Sequence, residues 1–193
     1  MRTASRQLLW LTLLGLSAFS GQKLCAAAEY DPKKEYETKA KLLYVFATLT
    51  RWSNEGVTNP PTPFILGILG PDPWNGRFRE VPPGLKEIKG RPVVTKVFPT
   101  VDQIDKCDLL FIRSSEKKVL TSVLDALKGA SVLTVAESKE FAQMGGVVNL
   151  YVEDVGDVGK TKFDVNSEAA AKAGLKPDLD FLKRAARLFP KPK

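Results

Sequence analysis

The sequence predicts an α/β fold: a mostly parallel sheet with helices on both faces and an antiparallel edge hairpin near the C-terminus. Three observations carry that expectation. Short apolar runs alternate with helical or turn segments from Phe64 onward. Those runs are mostly apolar on consecutive residues rather than on alternate ones, as in strands covered on both faces. Two β-type runs, Val147–Val152 and Thr161–Val165, are joined only by the Gly-punctuated stretch Glu153 to Lys160, which reads as a hairpin turn.

The first helix is expected from Pro32 to about Trp52, with Asp31 as N-cap and Pro32 at the first helical position. Its stretch Leu42 to Leu49 is apolar nearly all round, which implies cover by the core and by a second surface. Ser53 to Pro63, with Asn, Gly and three prolines, is a loop. Strands follow at Phe64–Leu69, Val93–Phe98, Leu109–Ile112 and Val132–Val135. A helix from about Ser115 to Leu127, capped by Ser114 or Ser115, presents Val119, Leu120, Val123, Leu124 and Leu127 as one stripe. Lys139–Met144 reads as a short helix closed by Gly145-Gly146. The last helix is expected from about Pro177 to Phe189. Asp180, Lys183, Arg184 and Arg187 gather on one side, opposite Leu179, Phe181, Leu182, Ala185, Ala186, Leu188 and Phe189. That apolar surplus fits either core or a contact surface.

Residues 1–28 have the order of a secretory signal peptide. Arg2 and Arg6 precede the apolar run Leu8 to Phe19, and small residues close it at Ala26-Ala27-Ala28. The run is shorter than the ~20 residues of a membrane-spanning anchor. Cys25 follows the bulky Leu24, which disfavours lipid attachment. Cleavage near Ala28 leaves residues 29–193 as a single domain and places it in the periplasm of a Gram-negative host. Loss of Arg2, Arg6 and Lys23 lowers the formal charge from +7 to +4. That is ordinary for solubility and gives no case for nucleic acid. The basic residues gather only at the end, in Lys183, Arg184, Arg187, Lys191 and Lys193, a group that fits a solvated helix face or contact with anionic lipid or an acidic partner.

The chain has no histidine. The ordinary serine and cysteine triads, His-based zinc sites and a histidine pH switch are therefore excluded. Cys107 is the single cysteine of the exported part and precedes an interior strand, so a buried apolar role is expected. Gly67 to Pro73 places glycines at a strand end but lacks G-x-G-x-x-G spacing, and its prolines remove amide donors. Asp108 lies at the wrong end of its strand for a phosphoacceptor. Ser114 and Ser115 have no base, and the pairs Asp164 with Glu168 and Glu153 with Asp154 have no marked cleft. No catalytic residue, cofactor or metal ligand is assigned.

Several strings stand in a familiar order. They are Lys39-Ala40-Lys41-Leu42-Leu43-Tyr44-Val45-Phe46 ending in Arg51-Trp52, Ile68-Leu69-Gly70-Pro71-Asp72-Pro73-Trp74, and Lys89-Gly90-Arg91-Pro92-Val93. Cys107 to Ile112, Val132 to Val135, Gly145 to Leu150, Phe163 to Asn166 and Ala173-Gly174-Leu175 complete the set. In that order the chain resembles the YfiR-like family. The resemblance implies a periplasmic, often dimeric α/β protein without known catalysis. Its best-understood members hold the periplasmic sensor part of an inner-membrane diguanylate cyclase inactive, and an outer-membrane-associated protein sequesters them. It implies function through protein–protein contact, with Trp52, Trp74, Phe78, Phe181 and Leu188 as the partner-binding candidates, large apolar groups of the kind that dominate interfaces when exposed. Redox-sensitive members carry cysteine pairs, which a lone Cys107 does not supply. The alternative expectation is a periplasmic small-ligand binder using the crevice around Gly70 and Ser114.

Overall fold

The structure is a computed structural model that describes residues 31–53, 62–80, 86–155 and 158–190. The expected signal segment with Cys25, most of the Ser53–Pro63 loop and the final Lys191 and Lys193 lie outside the described residues.

Helix α1 (Pro32–Thr48) begins as its sequence dictates: the Asp31 carboxylate accepts the Lys33 amide at 3.0 Å, and proline occupies the first turn. It ends earlier than expected. Leu49 leaves helical geometry, and Thr50–Trp52 becomes strand β1, paired antiparallel with β9 (Leu175–Pro177). The main sheet is formed by β2 (Phe64–Leu69), β3 (Glu87–Ile88), β4 (Arg91–Phe98), β5 (Leu109–Ile112), β6 (Leu133–Ala136), β7 (Val148–Val155), β8 (Val158–Asn166) and β10 (Arg187–Phe189). Its order is β10-β8-β7-β6-β5-β2-β4-β3. Strands β4, β2, β5, β6 and β7 run parallel, and β7 and β8 form the expected antiparallel hairpin, although most of the expected turn Glu153 to Lys160 is strand that extends the pairing to Val155 and Val158. Beyond that hairpin the chain adds the short β10, parallel to β8. Both ends of the sheet thus finish in very short strands.

All four residues of β5 and of β6 are buried, because helices cover both faces. One face packs under α1, α3 (Ser167–Lys172) and α4 (Leu179–Arg184). The other packs under α2 (Lys117–Ala126), through Leu120 and Val123. Phe46 of α1 sits 4.8 Å from both Phe163 of β8, edge-on, and Phe181 of α4, stacked, joining helix, sheet and C-terminal segment in one aromatic cluster. Gly67 is required on the α2 face, since a Cβ there would lie 2.8 Å from the Phe98 ring and 2.9 Å from Leu110.

Two expected helices change. Lys139–Met144 forms turns, because side chains take its backbone groups: Asn149 accepts from the Ala142 amide and donates to the Lys139 carbonyl, while Asn166 donates to the Ala142 carbonyl. The single C-terminal helix Pro177–Phe189 is replaced by β9, a six-residue α4 and β10. Ala185 turns extended at φ −66° and ψ 138°, and Arg187 then reaches the buried Asp164.

Candidate docking surface

Trp52, Trp74, Phe78 and Phe181 retain 6, 5, 1 and 1 % of their surface, so the structure places four of the five partner-binding candidates in the core. Leu188 alone is half-buried and reaches the surface. The buried aromatics support α1 from beneath. Trp74 meets Tyr36 and Phe78 edge-on at 6.1 and 4.9 Å, and Phe78 stacks on Tyr44 at 6.0 Å. The Trp74 indole donates to the Tyr36 carbonyl at 2.9 Å. Trp52 packs edge-on against Phe64 at 5.7 Å.

Other residues present the apolar surface outward. On α1, Leu42, Val45 and Leu49 follow one another at helical spacing, with Val45 38 % exposed and its neighbours half-buried. On α4, Leu179 is 69 % exposed and Leu182 half-buried. The Asp178 amide donates to the Leu49 carbonyl at 2.7 Å, so the end of α1 and the start of α4 lie together. The signal in the sequence was the all-round apolar character of Leu42 to Leu49. Ring size, by contrast, does not fix which side of an element a ring occupies.

The strand-end crevice is filled from within. β2 has β4 on one side and β5 on the other, so the sheet's switch point lies beyond the carboxyl ends of β2 and β5. Arg113 occupies that position. Its guanidinium donates to the Pro71 carbonyl and to the Tyr36 hydroxyl, both at 2.7 Å, and lies 3.5 Å from Glu137. Lys39, 4 % exposed, pairs with Glu35 and Glu137. Burial pulls the Lys39 ammonium down, but contacts with Glu137 and Glu35 outweigh it and leave its pKa raised. Burial, aided by Glu137, also raises the Tyr36 hydroxyl. The quartet Lys39, Glu137, Arg113 and Tyr36 therefore locks α1 onto the ends of β5 and β6. Beside it a groove of 670 Å³ runs along Pro32, Tyr36, Pro73, Trp74 and Arg77.

The remaining chemistry-bearing residues are engaged in structure. Asp108 accepts the Ile65 amide at 2.7 Å and two Arg91 nitrogens at 2.9 Å. Asp164, fully buried, accepts from Arg187, Tyr151 and Asn149. Glu153 pairs with Lys162. The Ser114 hydroxyl accepts the Glu116 amide at 3.2 Å, just ahead of α2. Cys107 is largely buried, and burial pushes its thiol up to about 12. Among the described residues no group of three His, Cys, Asp or Glu side chains is placed to hold a metal, and no helix is long and apolar enough to cross a membrane.

Two solved structures are similar to this chain over part of its length. One is the ABC domain in complex with L-Trp from Streptococcus pneumonia, at 14 % identity and a TM-score of 0.46, covering 65 % of this chain and 55 % of that one. The other is a conserved domain protein from Vibrio cholerae O1 biovar eltor, at 11 % identity and a TM-score of 0.49, covering 79 % of this chain and 59 % of that one. The chain thus spans a little over half the length of each. The model of the YfiR/HmsC-like family matches residues 36–186, from the first turns of α1 to the threshold of β10, and the chain belongs to that family.

Proposed function

We propose that this chain is a periplasmic regulatory binding protein that holds an inner-membrane signalling enzyme of the diguanylate cyclase type inactive through protein–protein contact. An outer-membrane-associated protein would relieve the block by sequestering it. The observation that carries this reading is the family match, which spans nearly the whole described fold. The outward apolar residues Leu42 and Val45 of α1, with Leu49 at its end, support it, since apolar surface left outward is where protein partners dock. Leu188 would meet the partner directly. Trp52, Trp74, Phe78 and Phe181 would act from below, by fixing the helices that present the surface.

The test is made in the source bacterium and with purified protein. Deleting the gene should raise cellular cyclic-di-GMP, and deleting the partner cyclase as well should abolish the rise. The purified chain should bind the periplasmic segment of that cyclase in a calorimeter. Unchanged cyclic-di-GMP together with no binding would overturn the reading.

The groove beside Trp74 favours one alternative, a periplasmic small-ligand binder. Under it, a metabolite screen should find a compound that raises the melting temperature, as tight binding to the folded state requires. A screen without any stabilising compound would dismiss it.

A further inference from the structure

We infer that the patch formed by Arg51, Lys176, Leu179 and Lys183 is a docking surface for the anionic headgroups of a lipid bilayer. The inference rests on the reading that the protein is exported and works beside an inner-membrane enzyme.

The two-stranded β1–β9 sheet places Arg51 directly opposite Lys176. Like charges at opposed positions of a strand pair destabilise it, with Cβ atoms only about 5 Å apart. Both side chains are exposed, and neither has a carboxylate partner among the described residues. The opposite face of the same pair buries Trp52 and Leu175, so the register is held by packing and the two cations are held outward together. The helix that follows adds an apolar tip. Leu179 is the most exposed large apolar residue of the described chain at 69 %, and the Asp178 amide ties this point to Leu49, two residues before Arg51. Lys183 lies one turn on from Leu179, on the same side of α4, and Arg184 is next to it.

The nearby acids do not cancel this charge. The Asp178 carboxylate, which caps its own helix by accepting the Asp180 amide at 2.7 Å, and the exposed Asp180 offset only part of the charge of the four exposed cations Arg51, Lys176, Lys183 and Arg184. These cations are long side chains spread round an apolar tip, not forked onto one point. That arrangement matches a field of mobile phosphate headgroups with acyl chains beneath, better than a single fixed carboxylate on a protein. Docking there would keep the protein in the plane where its target sits.

The experiment is co-sedimentation of the purified exported chain with vesicles of phosphatidylglycerol or of phosphatidylcholine. Binding to phosphatidylglycerol, weakening as salt rises, and none to phosphatidylcholine is expected. The double variant Arg51→Ser and Lys176→Ser should bind about twenty-five-fold less, roughly fivefold for each cation removed. Leu179→Ser should also weaken binding. Lys117→Ser with Lys118→Ser, on α2 across the sheet, should leave it unchanged; circular dichroism checks that each variant is folded. Absence of phosphatidylglycerol binding, or equal loss in the α2 variant, would overturn the proposal. So would displacement by inorganic phosphate at matched phosphate concentration, which marks a small-anion site, or binding only to an acidic protein. Repression of cyclic-di-GMP is measured separately, so a failure on vesicles with repression intact removes the lipid surface and leaves the regulator standing.

Discussion

Replacing Arg187 by methionine should cost more stability than replacing its partner Asp164 by asparagine. The reason is their unequal burial: Asp164 is fully enclosed, whereas the Arg187 side chain is 48 % exposed. In the native state Asp164 accepts from Arg187 Nη2 at 2.7 Å and Nε at 3.2 Å, from the Tyr151 hydroxyl at 3.2 Å and from Asn149 at 3.1 Å. Arg187→Met leaves a buried carboxylate with two neutral donors. Stranding one member of a buried pair costs ~3–5 kcal/mol, and the partial opening on the Arg187 side puts this site at the low end, about 3 kcal/mol. Asp164→Asn leaves an arginine that can turn into water, so the loss is that of one or two hydrogen bonds, about 1–2 kcal/mol. In a domain of this size each kcal/mol moves the melting temperature by ~2–4 °C, which separates the two variants by several degrees. The decisive measurement is the double variant in urea and thermal melts. Asp164→Asn added to Arg187→Met should recover part of the lost stability, since no charge is then left buried. A double variant at least as unstable as the sum of the singles would refute the argument.

Gly146→Ala should lower the melting temperature, because its Cβ would fall 2.1 Å from the buried Phe141 ring; overpacking of this kind costs ~1–3 kcal/mol or more. Lys39→Met should flatten the alkaline limb of the stability curve. The folded Lys39 pKa is raised above 10.5, so its ion pairs stabilise fully below that pH and are lost as pH climbs through the folded value; melts between pH 9 and 12 compare variant and parent. Cys107, with its thiol pushed up to about 12, should resist iodoacetamide at neutral pH and react only in denaturant, as mass spectrometry will show. Leu179→Ser should leave stability within about 0.5 kcal/mol, as expected for a side chain so exposed, while Phe181→Ala beside it should cost ~3–5 kcal/mol in the same melt.

The parts of this fold that were legible in the sequence are those where local pattern and burial agree. β2 and β5 carry no polar side chain, and β6 only the buried Thr134, because both faces are covered. Asp31 and Pro32 opened α1, and the interrupted runs around Glu153 to Lys160 announced the hairpin. The C-terminal segment misled because Leu179 to Arg184 has helical periodicity, and nothing nearby marks Ala185 as its end. What ends the helix is distant: the open edge of β8 and the buried acid at Asp164. The same holds for Asn149, which looks like an ordinary strand residue yet organises the turn at Lys139–Met144. Which apolar side chains are enclosed was not legible either: Trp52, Trp74, Phe78 and Phe181 are buried, whereas Val45 and Leu179 are exposed. A helix that is apolar all round names its occupants but not which of them look outward.

The very short terminal strands have a further consequence for life in a concentrated compartment. Among the described residues, β3 shields only the first residues of β4, and past Pro92 the outer rim of β4 carries exposed Val94 and Val97. Lys96 stands between them, tethered to Asp105, and Pro99 follows the strand directly. A charged side chain and flanking prolines deny a neighbouring molecule the long, flat template that amyloid-like stacking needs. The molecule therefore guards itself against self-templated polymerisation at its rims.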